Sequence, residues 1–177
     1  MAEKKKIAVF VSGSGTNLQA IIDADIPSLD IVLVFSNVPG VRAIERAEKH
    51  GIPCEVLSHK DYDSREDYDR DILELLKKYD IDFIVLAGFM RILSPVFVGA
   101  FKGRIVNIHP ALLPSFPGVQ AARQALEYGV KYTGVTVHFV DEGVDTGPII
   151  LQEIVEINDD DTEETRIEKI HTIEHEI

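Results

Sequence analysis

The sequence predicts an α/β fold in which a mostly parallel β-sheet is covered by helices on both faces. Segments typical of strands and of helices alternate through the first half of the chain. Several strand segments, such as IAVFV and IVLVF, are apolar at every position, which is typical of strands buried on both faces. Strands that alternate with helices form parallel sheets through right-handed crossovers, and such sheets bind ligands beyond the carboxyl ends of their strands.

The first half of the chain contains four predicted strands separated by helices. The strands are expected at residues 7–11, 31–35, 54–57 and 83–87, and the helices at residues 18–24, 42–50 and 64–79. The third helix has the most regular pattern, because apolar and aromatic residues recur in it at spacings of three and four. The loops after the first, second and fourth strands, together with the loop after Ile108, are therefore candidate ligand sites.

The second half of the chain is less regular. A short apolar strand at residues 105–108 precedes a proline-rich segment, and a helix is expected near residues 119–127. An alternating strand at 133–140, a loop at 141–147 and a further strand at 148–156 come next. The acidic stretch at 159–176 is expected to be helical, with Asp161 or Thr162 as its N-terminal cap.

The composition limits the class of protein and of partner. The 177 residues, 45% of them hydrophobic, suffice for one soluble domain with a sizeable core. A formal net charge of −12 disfavours nucleic acid and anionic membranes as partners. No apolar run approaches the ~20 residues of a membrane span, and the first residues show no signal-peptide pattern. With Cys54 as the single cysteine, a cytoplasmic location is the simplest interpretation.

A glycine-bearing loop, SGSGTN, joins the first strand to the first helix. Gly13 and Gly15 allow a tight turn. The backbone N–H groups of Gly15, Thr16 and Asn17 then point outward at the helix N-terminus, where the helix dipole favours an anion. The loop is neither a three-glycine dinucleotide motif nor a P-loop. It indicates a phosphate site, with a plain strand-to-helix turn as the alternative.

Two polar residues interrupt the apolar strand within RIVNIHPALLPSFPG. Asn107 and His109 are two residues apart, so on an extended strand their side chains share one face. An amide donor can hold a developing oxyanion, and an imidazole exchanges protons readily near neutral pH. Because Pro110 follows at once, the exit from the strand is stiff. The pair indicates carbonyl chemistry, and the alternative is a capping Asn beside a hydrogen-bonded structural His.

The loop DEGVDTGP supplies three carboxylates, Asp141, Glu142 and Asp145. A carboxylate near the imidazole would stabilise its charged form, but spacing along the chain does not choose among the three. A metal site is the rival hypothesis. His171 and His175 have the spacing of ligands on a helix, but no third ligand lies near them in the sequence, so no metal is expected.

Four motifs together resemble the phosphoribosylglycinamide formyltransferases, a family of folate-dependent enzymes of purine biosynthesis. They are SGSGTNLQAII, LAGFMRILSP, NIHPALLPSFPG and VTVHFVDEGVDTGPII. The resemblance runs from Ile7 to about Glu174. It implies a Rossmann-like formyltransferase fold and transfer of a formyl group to the amine of 5'-phosphoribosylglycinamide. The donor would be 10-formyltetrahydrofolate, acting as co-substrate, and no metal would take part.

The resemblance also implies roles for individual residues. The residues matching the catalytic trio are Asn107, His109 and Asp145. Those matching the loop for the substrate phosphate are Gly15, Thr16 and Asn17. Those matching the folate contacts are Arg65, Met90, Arg91, Ile92, Leu93 and Asn107. Glu174 matches a carboxylate that contacts the glycinamide substrate, and a cis peptide bond is implied between Leu113 and Pro114.

The chain departs from the family at two places. Gln120 stands where many relatives have His, which concerns local substrate contacts only. The family also continues well past the EHE near the end of this sequence. We therefore expect a single formyltransferase domain, residues 1–177, that lacks the family's C-terminal tail. In such a chain the apolar stripe of the last helix, formed by Ile167, Ile170 and Ile173, would be exposed and Glu174 poorly fixed.

Two other functions stay open at this point. One is a ligand-binding form without catalysis, for instance a truncated one. The other is a formyltetrahydrofolate deformylase, which would use water in place of the amine. The glycine loop favours the transferase, since a hydrolase has no use for a ribose phosphate. The oligomeric state is open between monomer and homodimer.

Overall fold

The computed structural model describes residues 3–177 and has an α/β architecture. Its strands are β1 (Lys5–Val11), β2 (Leu29–Ser36), β3 (Cys54–Val56), β4 (Phe83–Leu86), β5 (Ile105–His109), β6 (Tyr132–Phe139) and β7 (Ile149–Glu156). Its helices are α1 (Thr16–Asp23), α2 (Arg42–Lys49), α3 (Arg65–Leu76), α4 (Pro95–Ala100), α5 (Ala121–Tyr128) and α6 (Glu163–Glu176). A short 3-10 helix spans His59–Asp61.

The seven strands follow the order β3-β2-β1-β4-β5-β6-β7. β1 pairs in parallel with both β2 and β4, and β2 pairs in parallel with β3, whereas β6 and β7 are antiparallel. The predicted α/β fold with a mostly parallel sheet is confirmed. The chain forms two compact units, one ending at Val106 and the other beginning at Asn107. That the two act as a single domain stays a prediction.

In the first unit, residues 7–11 of β1 are buried on both faces, as their unbroken apolar sequence predicts. Val9 and its neighbours two residues away along β1 pack with Leu18 of α1 and with Ala43 and Ala47 of α2. The intervening Phe10 faces an aromatic cluster instead. Its ring centroid lies 4.7 Å from that of Phe35, 5.3 Å from that of Phe89 and 5.9 Å from that of Phe97.

Helix α4 is an element that the sequence pattern did not predict. It has six residues, too few to show a helical period, and it begins at Pro95. Proline suits the first helical position, where its missing N–H costs no hydrogen bond. The preceding Ser94 caps the helix, because its hydroxyl accepts a hydrogen bond from the backbone N–H of Phe97.

The second unit is closed by α6, which packs on β6 and β7. Ile170 is 1% exposed and lies in a cluster with Val135 and Val155, against which Ile173 also packs. The expectation of an exposed stripe on this helix was therefore wrong, because the two antiparallel strands provide the apolar surface that covers it. Thr162, one of the two predicted caps, accepts a hydrogen bond from the backbone N–H of Thr165.

Strand β7 stands at the end of the strand order and is unusually exposed for an apolar strand. Ile149, Ile150 and Leu151 are each 47% exposed, and Ile154 is 63% exposed. Within residues 3–177, no helix combines the length and apolar content that crossing a membrane requires.

Candidate active site

The side chains at the carboxyl end of β5 enter a polar cluster in the second unit. Asn107 Nδ2 lies 3.2 Å from Nε2 of His138, and His109 Nδ1 lies 3.4 Å from Oδ2 of Asp145. His138 Nε2 and Asp145 Oδ1 are 3.5 Å apart and close the cluster. The predicted trio is therefore brought together, and His138 joins it as a fourth member.

His109 is 4% exposed, and both of its ring nitrogens face acceptors. Nδ1 faces the carboxylate of Asp145, while Nε2 lies 2.8 Å from the backbone oxygen of Phe116. A neutral imidazole carries one N–H and can donate to only one of these oxygens. Only a ring with hydrogens on both nitrogens can donate to both oxygens.

Asp145 is the carboxylate that the fold selects from the three in its loop. Its Oδ2 accepts a hydrogen bond of 2.7 Å from the backbone N–H of Gly118. Asp141 has a local role instead, since its Oδ1 accepts from the Gly143 N–H and from the Thr146 hydroxyl. Sequence spacing left open which of the three carboxylates lies beside His109, and the path of the loop decides it.

Two backbone features set that path. Asp145 has a φ of 54°, in the left-handed region that Asp tolerates better than most residues. Gly147 packs so closely on β6 that a Cβ atom there would lie 1.8 Å from the backbone oxygen of Phe139. Only glycine therefore fits at position 147, and the loop returns close to the end of β6 with the carboxylate turned inward.

The surroundings of Asp145 hold its pKa below the ordinary value of an aspartate. The hydrogen bond from His138 contributes most, followed by the Gly118 amide and the positive charge of His109, while burial opposes them. Asp145 is therefore ionised throughout the neutral range. A fixed carboxylate beside the buried His109 ring keeps that ring oriented.

His138 is a residue that the sequence analysis missed. Its Nδ1 lies 2.9 Å from the backbone oxygen of Phe139, so Nδ1 carries a hydrogen. Nε2 then serves one of two partners, depending on the charge of the ring. In the neutral ring Nε2 accepts a hydrogen bond from Asn107, whereas in the charged ring it donates one to Asp145. Its place in the alternating strand TGVTVHFV gave no signal of this role, because the burial of His138 shows only in the folded structure.

The segment after β5 is fixed by hydrogen bonds as well as by prolines. The peptide bond between Leu113 and Pro114 is cis, which confirms the prediction made from the family resemblance. Thr136, a buried residue of β6, donates through its hydroxyl to the oxygen of Ala111 and accepts from the N–H of Leu113. Gln152 of β7 donates to the Leu113 oxygen. The stiff exit predicted for β5 is thus present.

In the first unit, the glycine loop opens α1 as predicted. Gly15 caps α1 with a φ of 72°, and a Cβ atom there would lie 2.6 Å from Cβ of Ala43. Arg46 of α2 braces the loop, because its Nε donates to the oxygen of Ser14 over 2.8 Å. Thr16 begins the helix. Oδ1 of Asn17 is buried and has no hydrogen-bond partner within residues 3–177, so it offers an unused acceptor.

The predicted folate residues after β4 differ in exposure. Met90 is 70% exposed and Ile92 52% exposed, whereas Leu93 is buried. The guanidinium carbon of Arg91 lies 4.6 Å from the ring centroid of Tyr68, a cation–π geometry. The Met90 N–H donates to the hydroxyl of Ser12 over 2.8 Å. The segment therefore presents apolar side chains to solvent on a fixed backbone.

Two further predicted residues have local ion pairs. Arg65 is the first residue of α3, where its Nη2 lies 3.8 Å from Oε1 of Glu66. Glu174 lies on α6 with 10% of its side chain exposed, and its Oε2 is 3.8 Å from Nε2 of His171. Glu174 is thus largely buried and not loosely held. The ligand contacts expected of both residues stay predictions.

The described part of the chain, residues 3–177, contains no group of three or more His, Cys, Asp or Glu side chains arranged to hold a metal ion. His171 and His175 stack with their ring centroids 6.4 Å apart.

Comparison with known proteins gives a consistent family. The formyl transferase family matches residues 5–177. The phosphoribosylglycinamide formyltransferase of Bacillus subtilis is 43% identical over 174 residues, which cover 97% of this chain and 89% of that protein. The crystal structure of glycinamide ribonucleotide transformylase 1 from Geobacillus kaustophilus is 49% identical with a TM-score of 0.95, covering 99% of this chain and 95% of that one.

A longer relative has a higher identity. The trifunctional purine biosynthetic protein adenosine-3 of Drosophila melanogaster is 54% identical over an alignment of 177 positions that covers 97% of this chain. This chain spans only 13% of the length of that relative.

Proposed function

The chain belongs to the formyl transferase family, and from this premise we propose that it transfers the formyl group of 10-formyltetrahydrofolate to the amine of 5'-phosphoribosylglycinamide. Relatives of similar length carry the name of this activity, including the one from Bacillus subtilis. The transfer would serve purine biosynthesis. The trifunctional relatives contain much that this chain does not span, so their other activities are not part of the proposal.

In the proposed reaction the substrate amine attacks the formyl carbon directly. A C–N bond forms, the carbonyl electron pair moves to oxygen, and a tetrahedral oxyanion results. When the intermediate collapses, the bond to N10 of the folate breaks and its electron pair stays on that nitrogen. The amine gives up one proton and N10 gains one, so the products are the formylated amide and tetrahydrofolate. No covalent bond to the enzyme is needed.

The oxyanion would be held by Asn107 and His109. An amide nitrogen carries two hydrogens, so Asn107 retains one for the oxyanion while the other faces His138. A protonated His109 ring would supply positive charge where negative charge develops. Its Nε2 hydrogen now points at the Phe116 oxygen, so an oxyanion that uses this hydrogen must share or displace that acceptor.

Asp145 would act through His109. Ionised and held by the Gly118 amide, it keeps the ring in place and stabilises the charged form of the ring. The proton that reaches N10 would travel through His109 or through a water molecule. A direct attack requires no metal, and the co-substrate supplies the one-carbon group.

The glycine loop would bind the substrate phosphate. The N–H groups at the start of α1 and the Thr16 hydroxyl are donors suited to an anion, and the helix dipole adds to their effect. The unpaired Oδ1 of Asn17 suits a hydroxyl of the ribose. Glu174 would contact the glycinamide part of the substrate, where a carboxylate favours the amine.

The folate would lie along Met90, Arg91, Ile92 and Leu93, with Arg65 and Asn107 as further contacts. Exposed apolar side chains such as Met90 and Ile92 give a flat ring system a surface to cover. Arg65 suits the carboxylates of the glutamate tail, because a guanidinium binds carboxylates in bidentate geometry.

The observation that carries the proposal is the buried His109 ring held between an ionised carboxylate and a carbonyl oxygen, with Asn107 beside it. A folate-absorbance assay tests it. The purified chain would be mixed with 10-formyltetrahydrofolate, with and without the ribotide amine, and the product would be identified by mass spectrometry.

The expected result is deformylation that depends on the amine and yields the formylated ribotide. Release of formate without the amine would show a deformylase instead. Binding of both ligands without turnover would show a binding form. A cytoplasmic location and a monomeric or homodimeric state complete the proposal, and sedimentation of the chain at assay concentration measures the latter.

A further inference from the structure

The four residues at positions 90–93, here called the 90–93 segment, combine exposure with a defined shape. Met90 and Ile92 expose apolar side chains, although burying such side chains would be favourable. An apolar loop that is free to move would fold its side chains against the nearest surface. Something must therefore hold the backbone of this segment, and the structure shows a hydrogen bond at each end.

The first anchor is Ser12, which directly follows β1. Its hydroxyl accepts from the Met90 N–H over 2.8 Å and donates to Oδ1 of Asn37 over 2.5 Å. Asn37 is 3% exposed, and its Nδ2 lies 3.3 Å from Nδ1 of His59. Because the Ser12 hydroxyl serves as donor and acceptor at once, its hydrogen points at Asn37 and its lone pair at Met90.

The second anchor is Asp69, a residue of α3 with an exposure of 1%. Its Oδ2 accepts from the backbone N–H of Ser94 over 2.6 Å, immediately after the segment. A buried carboxylate that accepts a short hydrogen bond from a backbone N–H makes a strong contact. Ser94 in turn caps α4, so the far end of the segment is joined to two helices.

Between the anchors, Arg91 lies over the ring of Tyr68. Two further contacts hold the Tyr68 ring. Its hydroxyl donates to the Leu57 oxygen over 2.7 Å, and the Tyr62 ring contacts it edge to face. Asp69 and Tyr68 are neighbours on α3. The helix therefore holds both the middle and the end of the segment.

We propose that Ser12 and Asp69 are positioning residues that hold the 90–93 segment in the shape that receives the pterin ring of the formylfolate. The inference rests on the proposed function, because that function places the folate on this segment. Neither residue needs to touch the ligand. Both act by keeping the exposed side chains in place before the ligand arrives, which spares the ordering cost on binding.

The kinetic test compares Ser12→Ala and Asp69→Ala with two controls. Each alanine variant should raise the KM for formylfolate about tenfold, with kcat and the KM for the ribotide amine within about twofold of the parent. Asp69→Asn keeps an oxygen that can accept from Ser94 and should restore the KM. Ser36→Ala removes a buried hydroxyl at the end of β2 whose hydrogen bonds, within residues 3–177, go to the backbone of Val38, and it should leave both KM values unchanged.

Amide hydrogen exchange followed by NMR gives a readout independent of turnover. In Ser12→Ala the Met90 amide should exchange at least tenfold faster, while the Ala87 amide, bonded to the Phe10 oxygen, keeps its rate. This variant decides the matter if Asp69→Ala does not fold. Unchanged exchange at Met90, or faster exchange with an unchanged KM for formylfolate, would overturn the inference.

Failure of the proposed function has a different signature. A parent chain that does not bind formylfolate would overturn the function, and with it this role for the two anchors. Failure of the inference alone leaves binding by the parent intact and the variants equal to it.

Discussion

His109 and Asp145 face each other across 3.4 Å, from Nδ1 of the ring to Oδ2 of the carboxylate, and that same oxygen accepts the Gly118 N–H. One carboxylate oxygen thus holds both the imidazole and the backbone that follows the proline-rich segment. The Gly118 amide fixes the carboxylate, and the carboxylate in turn orients the ring. Groups that are already in place need no rearrangement when charge develops in a transition state, and this is the condition for strong electrostatic catalysis.

Removing the imidazole should abolish most of the activity and little of the fold. His109→Ala is expected to lower formyl transfer at least about 10²-fold, the usual effect of losing an acid–base or oxyanion-stabilising group. Steady-state rates measure this, and circular dichroism checks the fold. His50→Ala, which changes an exposed His at the end of α2, should keep parental activity. Activity of His109→Ala within a few-fold of the parent would remove this residue from the mechanism.

The lowered pKa of Asp145 predicts how stability depends on pH. Because the folded-state pKa lies below the unfolded one, the ionised carboxylate stabilises the fold above the ordinary value of about 3.9. This contribution is lost as the pH falls through the folded-state pKa. Asp145→Asn lacks it at every pH.

Urea unfolding of parent and Asp145→Asn measures the effect. The parent should have the larger free energy of unfolding at pH 7, and the difference should shrink below about pH 4. A difference that stays constant across this range would show that ionisation of Asp145 does not contribute.

The glycine loop allows a matched pair of substitutions. Gly15→Ala places a Cβ atom 2.6 Å from Cβ of Ala43 at a φ of 72° and should distort the loop. A left-handed φ alone costs a non-glycine residue about 1–2 kcal/mol. We expect the KM for the phosphate-bearing substrate to rise at least about tenfold, with the KM for formylfolate little changed.

Gly13→Ala is the control, since nothing lies within 4 Å of the Cβ position there and its φ is not in the left-handed region. It should leave both KM values near those of the parent. If the two variants behave alike, the shape of the loop at Gly15 is not what binds the phosphate.

Two threonines of β6 offer a second matched pair. The Thr136 hydroxyl bonds to Ala111, Leu113 and Gln152, so Thr136→Val leaves buried groups unpaired. Each such group costs about 1–3 kcal/mol, and we expect a loss of stability in that range. The Thr133 hydroxyl is buried without a partner among the described residues, so Thr133→Val should be neutral or stabilising. Thermal unfolding of both variants measures the two effects. Equal destabilisation would contradict the hydrogen-bond partners assigned to the two hydroxyls.

Much of the fold was predictable because apolar residues recur along the sequence with the spacing typical of buried strands and of helices. The apolar runs within β1 and β2 predict these strands to within two residues at each end, and the spacing of apolar residues predicts α3. Short elements carry no such signal, which is why α4 was missed. The path of the chain after β5 depends on residues with a left-handed backbone conformation, such as Phe116. The sequence alone does not identify these residues.

The residues of the candidate site likewise divide into those that the sequence indicated and those that it did not. Asn107 and His109 were found because polar residues interrupt an apolar strand. Asp145 could be singled out only through the family resemblance, since the choice depends on a loop that folds back beside β6. His138 was missed because a His in an alternating strand is typical of a solvent-facing position, whereas here Asn107 and Asp145 lie against its ring. Burial of a strand face is a property of the assembled fold and is not visible in a local pattern.

The exposed isoleucines of β7 have a consequence for how the protein behaves in solution. A strand at the end of a sheet with apolar side chains in the solvent is prone to pair with other chains. At neutral pH the net charge of −12 keeps copies apart. Near the isoelectric point of about 4.8 that repulsion vanishes while the apolar strand stays exposed. Acidic buffers should therefore precipitate the folded protein, and a charged residue in place of Ile154 should improve its solubility there.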